Sequence, residues 1–245
     1  MHDFPAGRFA VWATAWLCGR TSYDHALDAL TGDTAHRVAG LPGTEEAVPL
    51  GSALSALRGL GERRLRLVLP VPGDVRGLPA VPGLAALALE AGQVAVGERL
   101  ALVPEAIGPE VVQWTAFSLD GVPPVAPPVE GTLRAVSGHL DLAVGDTART
   151  LAGLDLARWN PEVPALLAGL GRPATAPALP DDHDPLAVSV LGRAQRLAAV
   201  LDLAMVDAPG AAVNHAQAAA RDRALRPLAD AVREATSAAY NAVPR

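Results

Sequence analysis

Lysine is absent from this chain, and all 20 of its basic residues are arginine. That absence excludes a Schiff-base lysine and with it pyridoxal chemistry, the phosphate-binding lysine of a P-loop, and the strand lysine of protein kinases. The accompanying wealth of Arg, Ala, Gly and Pro is what a GC-rich genome imposes. Cysteine occurs once, as Cys18, so there is no internal disulfide, no CxxC pair and no Cys-rich zinc site. A reducing, cytoplasmic setting is the expectation. Aromatic residues make up 4% of the sequence against 50% hydrophobic, so the core must be built from small and aliphatic groups packed closely. Charge of either sign is sparse: the net value is -6, with 14 acidic and 9 Arg side chains in residues 1–130 and 12 and 11 in the rest. Neither half carries a nucleic-acid footprint.

Long apolar runs are missing as well. Phe9 to Cys18 ends in cysteine as a lipoprotein leader would, but bulky Trp16 and Leu17 precede the thiol and the run is too short to span a bilayer. Phe9, Trp12 and Trp16 recur at helical spacing, so the run reads as a buried helix face, with Cys18 as a small core residue. No HExxH, GxSxG or EF-hand loop occurs, and Gly59-Leu60-Gly61 precedes a strand and lacks the third glycine of a dinucleotide site. No cofactor and no metal is expected.

What the chain does have is the stretch Leu65 to Gly83, LRLVLPVPGDVRGLPAVPG. Leu65, Leu67 and Leu69 alternate with Arg64, Arg66 and Val68, the period of a strand with one face in the core. The strand then enters a loop of prolines and glycines that can continue neither a helix nor a ladder. Strand ends are where ligands commonly sit, so Asp74, Arg76, Arg64 and Arg66 are the ligand-binding candidates, with Trp114 as a wall. The simpler reading of Asp74 and Arg76 is a mutual interaction that holds the loop.

Around this stretch the pattern predicts two opening helices, the second capped by Ser22, and a first strand over 34–41. A helix over 51–60, a short helix over 84–90, a hairpin over 93–103 around Gly97-Glu98 and a last strand over 111–119 follow. That makes four or five strands. Four prolines in Gly121 to Pro128 mark an extended linker and a boundary, giving residues 1–128 as helices plus sheet and 129–245 as a helical region packed on them as one unit.

The helical region is predicted over 130–154, broken or frayed by Gly131, Gly138 and Gly145, then over 161–170. After a Pro-rich break come a helix capped by Asp184-Pro185 and running to Val206, a turn at 207–210, and a long helix over 211–242 kinked or restarted at Pro227. If the last two form a hairpin, Asp202 faces His215 and Arg196 faces Asp222. Asp202 sits in LAAVLDLAMV, apolar enough to demand a partner, with His215 or Arg196 the candidates. Asp181-Asp182-His183-Asp184 has the residue types of a metal site, but it stands at a helix entrance where carboxylates are stabilised anyway. Alanine-rich stripes on the final helices suggest a homodimer through them.

LVLPVPGDVRGLP from Leu67, ARWNPEVPALLAGL over 157–170 and RAQRLAAVLDLAMVDAPGAAVN over 193–214 resemble a conserved hypothetical family of high-GC actinobacteria, over most of the chain. The resemblance implies a cytoplasmic actinobacterial protein and carries over no catalytic residue. The reading is an α+β fold: a small, mostly antiparallel sheet packed by N-terminal helices and by a C-terminal helical region ending in a long hairpin. Its function is that of a non-enzymatic interaction or small-ligand-binding scaffold, with no nucleic-acid or membrane partner. The alternative is an enzyme acting on a small polar or anionic metabolite at the 70–83 loop.

Overall fold

The computed structural model describes residues 4–108, 110–125, 131–153, 179–205 and 215–242. The chain divides into two compact units, residues 3–129 with 178–183, and residues 130–177 with 184–245 and the first two residues. The first unit holds helices α1 (Pro5–Leu17), α2 (Tyr23–Thr31), α3 (Leu50–Gly59) and α4 (Leu84–Ala91) and strands β1 (Ala35–Ala39), β2 (Val48–Pro49), β3 (Arg66–Val68), β4 (Val94–Val96), β5 (Leu100–Ala106) and β6 (Val111–Ser118). The second holds α5 (Leu133–Gly153), α6 (Pro185–Met205) and α7 (His215–Asn241). The fold is α+β.

All six strands form one sheet in the order β2-β1-β6-β5-β4-β3. Every pairing is antiparallel except β1 with β6, so the sheet is mixed. The unexpected strand is β2, whose two residues are too short to show a period. Its Pro49 and its brevity blunt that edge. The opposite edge, at β3, is tied to α1, where the Thr14 hydroxyl accepts from the Leu65 amide at 2.9 Å.

Cross-strand register fixes the two faces. Leu102 pairs with Ala116 and Leu67 with Ala95, and this face meets α1, whose Phe9 ring lies 5.2 Å from that of Trp114. Val68, Val94, Val96, Ala101 and Val103 line the other face beneath Leu84 and Ala88 of α4. Leu67 and Val68 are thus both buried, and β3 is covered on both faces where one was expected. The opening helices follow their sequence signals: Phe9, Trp12 and Trp16 are buried, and the Ser22 hydroxyl accepts from the His25 amide at 3.2 Å. Cys18 corrects its prediction, for it is exposed. As the residue that ends α1 it has turned off the buried stripe, and its thiol donates to the Arg63 carbonyl at 3.5 Å.

A buried carboxylate joins α3 to the β4–β5 hairpin. Glu62 is 4% exposed; its Oε2 accepts from the Glu98 amide at 2.9 Å, and its Oε1 from the amides of Arg99 at 2.5 Å and Leu100 at 3.1 Å. Hydrogen bonds to an ionised acceptor are about twice as strong as neutral ones, so three of them fix the turn. Gly97 permits the approach, since a Cβ there would lie 2.4 Å from Glu62 Oε1.

In the second unit α5 and α6 both pack on α7. Val136 and Leu140 of α5, Val190 and Leu191 of α6, and Leu225, Leu228 and Val232 of α7 are buried. α5 runs unbroken through Gly138 and Gly145, and α7 through Pro227. Packing on a shared neighbour outweighs the roughly 1 kcal/mol that each glycine costs a helix. Asp184 caps α6 as its sequence indicates, accepting from the Leu186 amide at 2.8 Å. The predicted helix over 161–170 and the turn over 207–210 lie outside the described residues. On the last helix Ala231, Ala235 and Ala239 are buried, at most 1% exposed. Thr147 is 4% exposed and its hydroxyl has no hydrogen-bond partner among the described residues. Thr147→Val is therefore expected to raise stability by about 1 kcal/mol in urea unfolding, by removing a buried polar group at constant shape.

Candidate functional site

The loop leaving β3 is two successive tight turns. Val71 and Asp74 bond each other's backbone in both directions, at 3.0 and 2.8 Å, around Pro72-Gly73. Proline followed by a glycine at φ +89° is the residue order of a type II turn. The next turn is closed by the Leu78 amide donating to Val75 at 3.1 Å, again with a glycine, Gly77, at φ +89°. Leu78 and Val81 then pack against the apolar cluster under α4 and anchor the far end.

The charged candidates gather on these turns. Asp74 accepts from Arg76 twice through side chains, Oδ1 from Nε and Oδ2 from Nη2, both at 2.9 Å. Oδ1 also takes the Arg76 amide at 3.3 Å. The pair is asymmetric in exposure: the Asp74 side chain is 19% exposed and that of Arg76 is 72% exposed. Arg66, half-buried on β3, donates to the Gly77 carbonyl at 2.9 Å and to Val125 of the departing linker at 3.4 Å. Arg64, two residues before β3, is exposed. Arg66, Asp74 and Arg76 are thus brought to one loop.

Trp114 is not. It is 1% exposed and stands on the α1 face of the sheet, opposite α4 and the loop, with Nε1 donating to His36 Nδ1 at 3.0 Å. Period-two alternation places Trp114 on a face but cannot say which side of the sheet the loop will cover, and the expectation of a wall failed there.

The predicted polar pairs of the helical unit differ from their expectation in one respect. Asp202 is exposed on α6, so its apolar neighbours in sequence do not surround it in space. Arg196 on α6 and Asp222 on α7 are exposed too, and the side chain of His215, with its pairing to Asp202, lies outside the described residues. The acidic cluster before α6 is divided among structural tasks: Asp182 meets Arg20 at 2.6 Å, and Asp184 caps the helix. Among the described residues no group of three or more His, Cys, Asp or Glu is placed to hold a metal ion. None of their helices is long and apolar enough to cross a membrane.

Sequence reasoning missed Glu62. Its local signal was a lone acid between Gly61 and two arginines, which reads as a solvated surface residue.

Comparison with known proteins matches residues 6–130 to the Rv1486c-like protein, N-terminal domain, and residues 134–237 to the Rv1486c-like protein, C-terminal domain. The chain is 29% identical to the Uncharacterized protein Rv1486c of Mycobacterium tuberculosis, over 98% of its own length and 96% of the relative's. It is 27% identical to the Uncharacterized protein ML1804 of Mycobacterium leprae, over 98% and 97% of the two chains. No solved structure matches it. With both of its domains matched and relatives aligned along nearly the whole length, the chain belongs to the conserved, actinobacterial Rv1486c-like family.

Proposed function

We propose that the chain is a cytoplasmic, non-enzymatic scaffold that presents the 70–83 loop to a binding partner. The observation that carries this reading is the asymmetry of the Asp74–Arg76 pair: the carboxylate is engaged in holding the turn while the guanidinium is 72% exposed. Beside it Val75, 46% exposed, is one of the few large apolar side chains turned to solvent among the described residues. A loop fixed by its own turns, by Arg66 and by Leu78 loses little entropy on binding, which is what preorganisation contributes to affinity. The single cysteine supports a reducing compartment.

Val75→Asp tests the reading. Its stability is expected to stay within about 0.5 kcal/mol of the parent, as for a surface substitution. The partner recovered from cells of the source organism with the parent chain should be lost with the variant.

The alternative, an enzyme acting on a small polar or anionic metabolite, draws on Arg66 and Arg76 beside Asp74 at the same loop. A thermal-shift screen of phosphates, acids and nucleotides separates the two, because a ligand of the native state raises its melting temperature. A metabolite whose stabilisation disappears in Arg76→Ala would displace the scaffold reading.

A further inference from the structure

We infer that a second copy of this chain covers the end of the sheet that α4 leaves open, in a two-fold dimer whose axis runs along β6. The dimer does not depend on what the 70–83 loop binds.

The open surface follows from the reach of α4. On β5, Val103 is buried in the cluster under that helix, whereas Glu105, the next residue on the same face, is exposed. The strand register carries this face across β5, β6 and β1 as two rows. In the first, Glu105 pairs with Gln113 on β6, and Gln113 with Arg37 on β1. In the second, Val111 pairs with Ala35 on β1, and its carbonyl accepts from the Ile107 amide at 2.8 Å. Ile107 is 55% exposed; Ala35, Arg37 and Glu105 are exposed, and Val111 and Gln113 are half-buried.

Charge and volume are both graded across these rows. Arg37 stands at one end of the polar row and Glu105 at the other, two strand spacings or about 10 Å apart. Arg37 donates to the Ala47 carbonyl at 3.4 Å, and among the described residues neither Arg37 nor Glu105 forms an ion pair. In the apolar row the small Ala35 lies on the Arg37 side and the large Ile107 on the Glu105 side.

Such a gradient is complementary to itself. A half-turn about an axis parallel to β6 exchanges the two ends, so that Arg37 of each copy meets Glu105 of the other, and Ile107 of each meets Ala35 of the other. Gln113 faces its own counterpart on the axis, where two carboxamides can exchange hydrogen bonds. A two-fold axis across the strands would instead set Arg37 on Arg37, and like charges apposed in an interface are strongly disfavoured. The axis along β6 also keeps the strands of the two sheets aligned, a packing that twisted sheets adopt face to face. Two short rows make a small interface, so the dimer is weak and depends on concentration.

The test is sedimentation velocity of the full chain over a rising concentration series. The expected result is a weight-average mass that climbs from one chain toward two. Arg37→Glu and Glu105→Arg, each alone, set like charges opposite each other and should weaken the dimer at least about tenfold. Mixed in equal amounts, the two variants should associate again, because each supplies the charge that the other now needs. The double variant Arg37→Glu with Glu105→Arg should dimerise like the parent, since the swap keeps opposite charges apposed. Ile107→Ser, at an exposed position, should weaken association several-fold through the lost contact with Ala35. A parent that stays monomeric at the highest concentration would overturn the inference. A dimer that neither charge reversal weakens would overturn it as well, and would place the contact elsewhere, the final helices included. So would a mixture and a double variant that both stay monomeric while the parent dimerises.

Discussion

Replacing Glu62 by alanine is expected to destabilise the sheet unit by about 3 kcal/mol, because three backbone amides lose an ionised acceptor in a place that water does not freely reach. The donors are the amides of Glu98, Arg99 and Leu100, and the residue they surround is 4% exposed. Glu62→Gln should cost nearly as much. All three partners are donors, and a carboxamide presents only one oxygen to them while turning an NH2 group toward the rest. Gly97→Ala should resemble both, as its Cβ would meet Glu62 Oε1 at 2.4 Å and force the carboxylate out of its seat. Urea unfolding followed by tryptophan fluorescence reports on this unit, which contains Trp12, Trp16 and Trp114. A Glu62→Gln variant as stable as the parent would mean that the carboxylate is solvated and the clamp unimportant.

Trp114→Ala should be the most damaging single substitution, at about 4 kcal/mol, through lost burial and the cavity left between β6 and α1. The ring is 1% exposed and lies 5.2 Å from Phe9 and 6.0 Å from His36. Trp114→Phe keeps most of the volume but leaves His36 Nδ1 without the indole donor, and should cost about 1–2 kcal/mol. The same variant separates structure from recognition. Since Trp114 and the loop occupy opposite faces of the sheet, Trp114→Phe is expected to leave partner binding unchanged while it lowers the urea midpoint. A loss of binding with an unchanged midpoint would return Trp114 to the binding surface.

How far the sequence revealed this protein follows from the range of each signal. Phe9, Trp12 and Trp16, the cap at Ser22, the Asp184-Pro185 helix start and the Gly97 hairpin were legible because each is written in residues a few positions apart. The two-residue strand β2 was not, because it is made by its neighbour β1 and has no period of its own. Cys18 was misread because apolar neighbours in sequence imply burial only while a residue stays on the buried stripe, and it has rotated off it; Asp202 is exposed among apolar sequence neighbours for the same reason. Gly138, Gly145 and Pro227 disrupt a helix in isolation, and tertiary packing carried α5 and α7 through them. At the candidate site, the convergence of Arg66, Asp74 and Arg76 was legible from a strand running into a Pro/Gly loop. The side of the sheet facing Trp114 was decided by the placement of α1 and α4, a long-range fact no local pattern contains. Glu62 was hidden for the same cause, since its partners lie at least 36 residues away.

Asp74 holds the loop in shape, and its exposed residues are proposed to meet a partner. Photo-crosslinking in cells of the source organism, from a photoreactive amino acid placed at position 75, tests it most directly. A discrete protein adduct is expected from position 75 and is lost on Asp74→Ala, with none from the more exposed position 142, where Leu142 is 68% exposed. An adduct that persists undiminished in Asp74→Ala, or no adduct from position 75 at all, would contradict it.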